Sequence, residues 1–234
     1  MAEPLPDSVT LSIIIPVLNE AELLDGSLSR LFAGPARNAD IEVIVCDGGS
    51  TDDSLGIIKQ YPCQLVQSTA GRAIQMNAGS SIAQGNWLLF LHADSSLPDG
   101  FLDRVSRSGK WGFFHLRLNG DHLLYRVISS AINLRSSISR VAGGDQGLFF
   151  KTSFFQSIHR FPQIPLMEDI AICKLARQLA RPCIIKHPLF SSSRRWRENG
   201  IIKTVVLMWS LRLAYWLGVD PLRLHKIYYP QRGQ

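Results

Sequence analysis

The chain has 234 residues, 46% of them hydrophobic and 19% charged, with a formal net charge of +6. That composition excludes a disordered chain and allows one sizeable α/β domain, but is short for two. The charge is uneven: residues 181–234 hold ten Lys/Arg against two Asp/Glu, whereas residues 1–180 are slightly acidic.

The opening MAEPLPDSVT has no basic stretch followed by an apolar one, so a secretory signal is not expected there and a cytoplasmic location is. Leu11–Val17 is a short β-branched run, as in a strand buried on both faces of a parallel sheet. From Glu20 to Phe32 the leucines at 23, 24, 28 and 31 fall at helical spacing. Ile41–Cys46 reads as a second buried strand, ending in Asp47-Gly48-Gly49-Ser50-Thr51-Asp52, whose last three residues suit the N-cap of a helix through Ile57 and Ile58. Gln64–Gln67 is a candidate third strand, Ala73–Ala83 a helix, and Trp87–Leu91 a buried strand running into His92-Ala93-Asp94. The four scattered cysteines, Cys46, Cys63, Cys173 and Cys183, form no CxxC pair and read as free thiols.

Strands and helices alternating at these intervals imply βαβ units and a mostly parallel sheet. Ligands of such sheets collect at the carboxyl ends of the strands. Asn19, Asp47 and Asp94 each lie just past a strand, so the three should meet on one rim.

Beyond residue 110 the periodicity loosens. Phe113–Leu118 alternates like a half-exposed strand, and Leu123–Val141 suits a helix. Gly143-Gly144-Asp145-Gln146-Gly147 then precedes a strand-like Leu148–Phe150, and Met167–Leu179 suits a helix opening on Glu168-Asp169. Ile201–Gly218 is strongly apolar but broken by Lys203 and Arg212, leaving too short an uncharged run to cross a bilayer. Lys203 and Ser210 share one face and Arg212 lies almost opposite. Such a helix packs in protein, in a dimer seam, or at a membrane surface with its cations snorkelling. The basic C-terminal segment suits an anionic partner. No base-reading module accompanies it, so nucleic acid is not an expected one.

Ile13-Ile14-Ile15-Pro16-Val17-Leu18-Asn19-Glu20, Asp47-Gly48-Gly49-Ser50-Thr51-Asp52 and Phe90-Leu91-His92-Ala93-Asp94, in this order and spacing, resemble the family 2 inverting glycosyltransferases of GT-A fold. Gly71-Arg72-Ala73…Asn77-Ala78-Gly79, Met167-Glu168-Asp169 and Arg194-Arg195-Trp196 extend the likeness over residues 10 to 220. Within that family, His92-Ala93-Asp94, the glycine-rich run 143–147 and the Arg-Arg-Trp segment most resemble a bacterial group named for arsenosugar biosynthesis.

The resemblance implies a Rossmann-like GT-A α/β fold with a C-terminal helical extension. It divides the chain into a nucleotide-binding half (10–110), an acceptor and catalytic half (111–190) and a basic, apolar helical segment (191–234). It implies transfer of a sugar from a nucleotide-diphosphate sugar, UDP-linked by preference, to an acceptor hydroxyl. Pro16, Val17, Asn19, Glu20, Asp47 and Gly49 would cradle the nucleoside. Arg72, Asn77, Asp94 and Arg195 would complete the donor site. Asp94, with His92, would hold Mn²⁺ or Mg²⁺, whose hard-ligand preference suits a carboxylate. Asp169 would be the general base, supported by Glu168, with Asp145, Gln146 and Trp196 on the acceptor side. The acceptor would be lipid-linked or small, with peripheral membrane contact or a homodimer as further candidates.

Two positions depart from the family pattern: Gly48 stands where a second acid is common, and His92 where the metal motif often has Asp. A nucleotide-sugar-binding relative without catalysis is the rival reading that fits the second departure. A nucleotidyltransferase fits poorly, because LSIIIPVLNE holds neither glycine nor Lys/Arg for a phosphate loop.

Overall fold

The computed structural model describes residues 10–37 and 40–229, without the side chains of Arg195 and Asn199. In its first half strands and helices alternate: β1 (Leu11–Val17), α1 (Ala21–Ala33), β2 (Ile41–Asp47), α2 (Ser54–Ile58), β3 (Gln64–Gln67), α3 (Arg72–Ile82) and β4 (Trp87–Phe90). Then come β5 (Ser95–Ser96), α4 (Phe101–Ser106), β6 (Trp111–Leu118), α5 (Leu123–Ser139), β7 (Leu148–Lys151) and α6 (Thr152–Ser157). The chain closes with α7 (Glu168–Leu179), β8 (Cys183–Ser191), α8 (Arg194–Asn199), α9 (Ile201–Trp216) and α10 (Pro221–Tyr228).

The strands form one sheet in the order β3-β2-β1-β4-β7-β6-β8-β5. β3, β2, β1 and β4 run parallel to one another. β7 runs antiparallel to both β4 and β6, and β8 returns parallel to β6. This is the α/β arrangement the alternating pattern implies.

Both faces of the sheet are buried, which explains the unbroken apolar strands. Along β1, Leu11, Ile13, Ile15 and Val17 enter one core layer with Leu24, Leu28 and Leu31 of α1, while Ile14 enters the opposite layer with Ala73 and Met76 of α3. At Gly79 α3 presses on the strands so closely that a Cβ would lie 2.5 Å from Cys46 Sγ. All four cysteines are free, as expected.

Several local expectations change. Ser50, Thr51 and Asp52 do not simply cap α2, whose N-cap is Asp53. Ser50 Oγ accepts from Asn19 N–H, and Asp52 Oδ2 from Ala21 N–H, so the run mainly fastens the start of α1 to the end of β2. β6 is half-exposed only at His115 and Arg117; its other residues are buried. β8 has no alternating signature because it pairs with β6 through an irregular register between Phe114 and Leu116. Asn133 of α5 repairs that break by donating to Leu116 O at 2.9 Å and accepting from Leu116 N–H at 2.7 Å.

Candidate active site

Topology decides which polar residues meet. Asn19, Asp47 and Asp94 follow the carboxyl ends of β1, β2 and β4. β7 is antiparallel to β4 with Leu148 opposite Phe90, so the 3-10 turn Gly144–Gln146 before β7 returns to the same rim. β6 and β8 point the same way as β4, which places Arg194, just past β8, on that rim as well.

The first loop is built to be shaped rather than merely polar. Asn19 is left-handed at φ 54°, and its Oδ1 accepts from Thr51 N–H at 2.8 Å. Asp47 is fully buried and accepts from the amides of Gly49 (2.9 Å) and Ser50 (3.2 Å). Its carboxylate therefore holds the turn from beneath, while Gly49, at φ 90°, leaves open space above it. Val17 is buried, and its carbonyl accepts from both Gly48 N–H and Gln75 Nε2. Gln75 also donates to Cys46 O, joining the ends of β1 and β2. This buried bracket had no signature in the sequence beyond a polar residue on an apolar helix face. Pro16 is half-buried in β1.

Acids and arginines occupy the centre. Asp169 Oδ2 accepts from Gly144 N–H at 2.8 Å, and its Oδ1 from Ile170 N–H at 2.7 Å. Glu168 is buried beside it, after Met167 in the left-handed conformation at φ 70°. Burial, and then the mutual repulsion of the pair, holds the Glu168 carboxyl above its ordinary range; burial likewise raises Asp169. Asp145 is pushed up to about 6 by burial and then by Asp169. Burial raises Asp94, against the pull of Arg194 and Arg72. It also raises Glu20, although Arg194 Nη2 lies 3.1 Å from Glu20 Oε2.

Four arginines face these acids. Arg72 is the first residue of α3; desolvation works against its charge, but Tyr229, Glu168, Asp169 and Asp145 hold it firmly protonated. Desolvation lowers Arg135 of α5, opposed by Asp145 and Asp169. Arg194 bridges Glu20 and Glu22. Arg212 reaches in from α9: a Cβ on Gly143 would lie 3.2 Å from its Nη2, 2.6 Å from Asp145 Oδ1 and 3.7 Å from Asp169 Oδ2. The sequence pointed to Arg72 but not to Arg135 or Arg212, each one of two cations in an otherwise largely apolar or small-residue helix.

His92 and Asp169 flank Gly144, where a Cβ would lie 2.8 Å from His92 Nε2 and 3.9 Å from Asp169 Oδ2. Among the described residues no group of three or more His, Cys, Asp and Glu could hold a metal by itself. Three expected site residues are committed elsewhere. Asn77 donates to Phe161 O and accepts from Phe161 N–H, bracketing a loop. Gln146 is fully buried; it accepts from Gly143 N–H and donates to Phe114 O and Ser136 Oγ. Trp196 packs against the core layer shared by β1 and α1. The side chain of Arg195 lies outside the described residues.

Residues 12–107 match the family model Glycosyl transferase family 2. The match ends before Asp145, Glu168 and Asp169, so these acids lie outside the family 2 segment. Over 157 residues the chain is 39% identical to the "PGL/p-HBAD biosynthesis glycosyltransferase" of Mycobacterium bovis, covering 63% of this chain and 57% of that one. The chain thus spans little more than half of that relative's length. Two solved structures share the fold. The mannosyltransferase PcManGT from Pyrobaculum calidifontis, in complex with GDP-Man and Mn²⁺, superposes with TM-score 0.64 at 19% identity, over 97% of this chain and 66% of that one. TarS 1-349 of S. aureus, in complex with UDP, gives 0.63 at 18% identity, over 85% and 65%. The fold is that of the GT-A glycosyltransferases.

Proposed function

We propose that this chain is an inverting glycosyltransferase that moves a sugar from a nucleotide-diphosphate sugar to an acceptor hydroxyl, with Asp169 as general base. The observation that carries this reading is the position of Asp169. Two backbone amides orient its carboxylate on the same rim as the family 2 segment's Asp94 and Arg72.

In this reading the loop held by Asp47 and Asn19 receives the nucleoside, and the guanidinium of Arg72 offsets charge on the diphosphate. The acceptor oxygen attacks the anomeric carbon as the bond from that carbon to the diphosphate oxygen breaks. The acceptor proton passes to Asp169, and the nucleoside diphosphate leaves with the bonding pair. A buried carboxylate with a raised pKa is a better proton acceptor than an exposed one, provided it is ionised at the working pH. Glu168, held above its ordinary range by burial and by Asp169, can keep a proton and orient the acceptor by hydrogen bonding.

A divalent ion fits this site only if the donor completes its shell. Asp94 offers a hard oxygen ligand incompletely neutralised by arginine, and His92 a second donor nearby, but no set of three protein ligands stands ready. A bound ion would supply charge neutralisation for the departing diphosphate. The PcManGT complex with GDP-Man and Mn²⁺ supports that assignment by likeness of fold. The narrower likeness to the arsenosugar-biosynthesis group rests on the quoted motifs.

The reading is tested by a thermal-shift screen of nucleotide sugars with and without Mn²⁺. A ligand at about 100 times its Kd stabilises the folded state by about 2.7 kcal/mol. At least one nucleotide sugar should raise the midpoint, more so with Mn²⁺. A panel of UDP-, GDP- and dTDP-sugars that leaves the midpoint unmoved contradicts it.

A further inference from the structure

The helix α9 is apolar on two opposite sides. Thr204 and Leu211 are buried, and Leu207, Ala214 and Tyr215 pack against the core. On the far side Ile202, Val206, Trp209, Leu213 and Trp216, spaced four, three, four and three residues apart, form a solvent-facing stripe. Trp209 is 69% exposed and Trp216 72%. A solvent-facing helix ordinarily carries polar residues there. Among the described residues no helix is long and apolar enough to cross a membrane, so the stripe is not half of a span.

We propose that this stripe docks the protein on an anionic lipid surface. Charge selects that occupant over a second copy. Lys203 is exposed on α9, and α10, which packs on α9, exposes Leu222 and Ile227 beside Arg223 and Lys226. Residues 181–234 carry ten cations against two acids. Two copies meeting through this face would bring like charges together, whereas acidic headgroups would complement them. Exposed tryptophans with apolar neighbours and flanking cations suit the boundary between headgroups and acyl chains.

The same helix carries Arg212 to the acids around Asp169. α5, whose Arg135 faces those acids, also exposes apolar residues at Leu123, Val127, Leu134 and Ile138. Docking would therefore set the acid cluster close to the lipid surface, where an amphiphilic acceptor is at hand. That last step rests on the proposed transfer reaction; the docking itself does not.

Sedimentation with vesicles tests the docking without reference to catalysis. The full chain should pellet with phosphatidylcholine vesicles containing phosphatidylglycerol, weakly with phosphatidylcholine alone, and less as salt rises. Trp209→Ser with Trp216→Ser should abolish pelleting while circular dichroism and nucleotide-sugar binding stay unchanged. Lys203→Gln should weaken it by roughly fivefold, the effect of one cation near an anionic surface. No pelleting with anionic vesicles overturns the proposal. So does a dimer, seen by analytical ultracentrifugation, that the tryptophan substitutions disperse, because the stripe would then belong to a second copy. Loss of nucleotide-sugar binding in wild-type protein that still pellets would sink the transferase reading and leave the docking standing.

Discussion

The backbone amide of Gly144 donates to Asp169 Oδ2 at 2.8 Å, joining two segments 25 residues apart. The contact fixes the carboxylate at the head of α7 against the turn that carries Asp145. It also leaves no room at Gly144, where a Cβ would lie 2.8 Å from His92 Nε2. Gly144→Ala should displace the turn or the His92 ring and cost about 1–3 kcal/mol in denaturant unfolding. Turnover should fall with it. Unchanged turnover would mean that the amide does not orient the base.

Gln146 is predicted to matter for stability and not for binding an acceptor. Its amide makes three hydrogen bonds, to Gly143, Phe114 and Ser136, inside the core. Gln146→Ala strands those buried partners and should cost about 2–4 kcal/mol, read as a lower denaturation midpoint. A fully stable variant with a raised KM for acceptor would return Gln146 to the acceptor side, as the family resemblance implies.

Asp145 should make stability depend on pH. Its folded pKa, about 6, lies above the unfolded value near 4, so the native state binds more protons between those values. Stability therefore falls as pH rises through that window. Asp145→Asn should make the slope shallower, leaving the part due to the other raised carboxyls, and stabilise the protein at neutral pH by about 1–3 kcal/mol. Unfolding curves at acid and neutral pH would check this; a variant less stable at neutral pH would mean that Arg135 and Arg212 more than offset the buried charge.

A metal should bind with the nucleotide and not before it. Titration calorimetry with Mn²⁺ alone should show no tight site in the protein, whereas Mn²⁺ and a nucleoside diphosphate should each strengthen the other's binding. Asp94→Ala should weaken that mutual effect by tenfold, about 1.4 kcal/mol, or more. Equal nucleotide affinity in chelator and in Mn²⁺ would remove the ion from the reading.

The βαβ half was legible because strands buried on both faces write unbroken β-branched runs, as in Leu11–Val17 and Ile41–Asp47. The rim residues Asn19 and Asp94 followed from strand ends alone. β8 was not legible: its pairing is irregular, and its burial alternates only in part. Nor did residue type and position show how Asn77 and Gln146 are engaged: only the folded chain brings Asn77 to the backbone of Phe161 and Gln146 to Gly143, Phe114 and Ser136. Arg212 read as an interruption of an apolar helix because the turn it approaches, at Gly143, is far away in sequence.

The most direct test of Asp169 as base compares donor binding and turnover in one variant. Asp169→Asn keeps the size of the side chain and, through its one oxygen, one of the two backbone-amide contacts, but removes the proton acceptor. With a nucleotide sugar and an acceptor that support turnover by the wild type, the variant should bind the donor with nearly unchanged Kd. Its kcat for release of nucleoside diphosphate should be lower by about 10² or more. An Asn variant that turns over at the wild-type rate would contradict the assignment and move the base to Glu168 or Asp145.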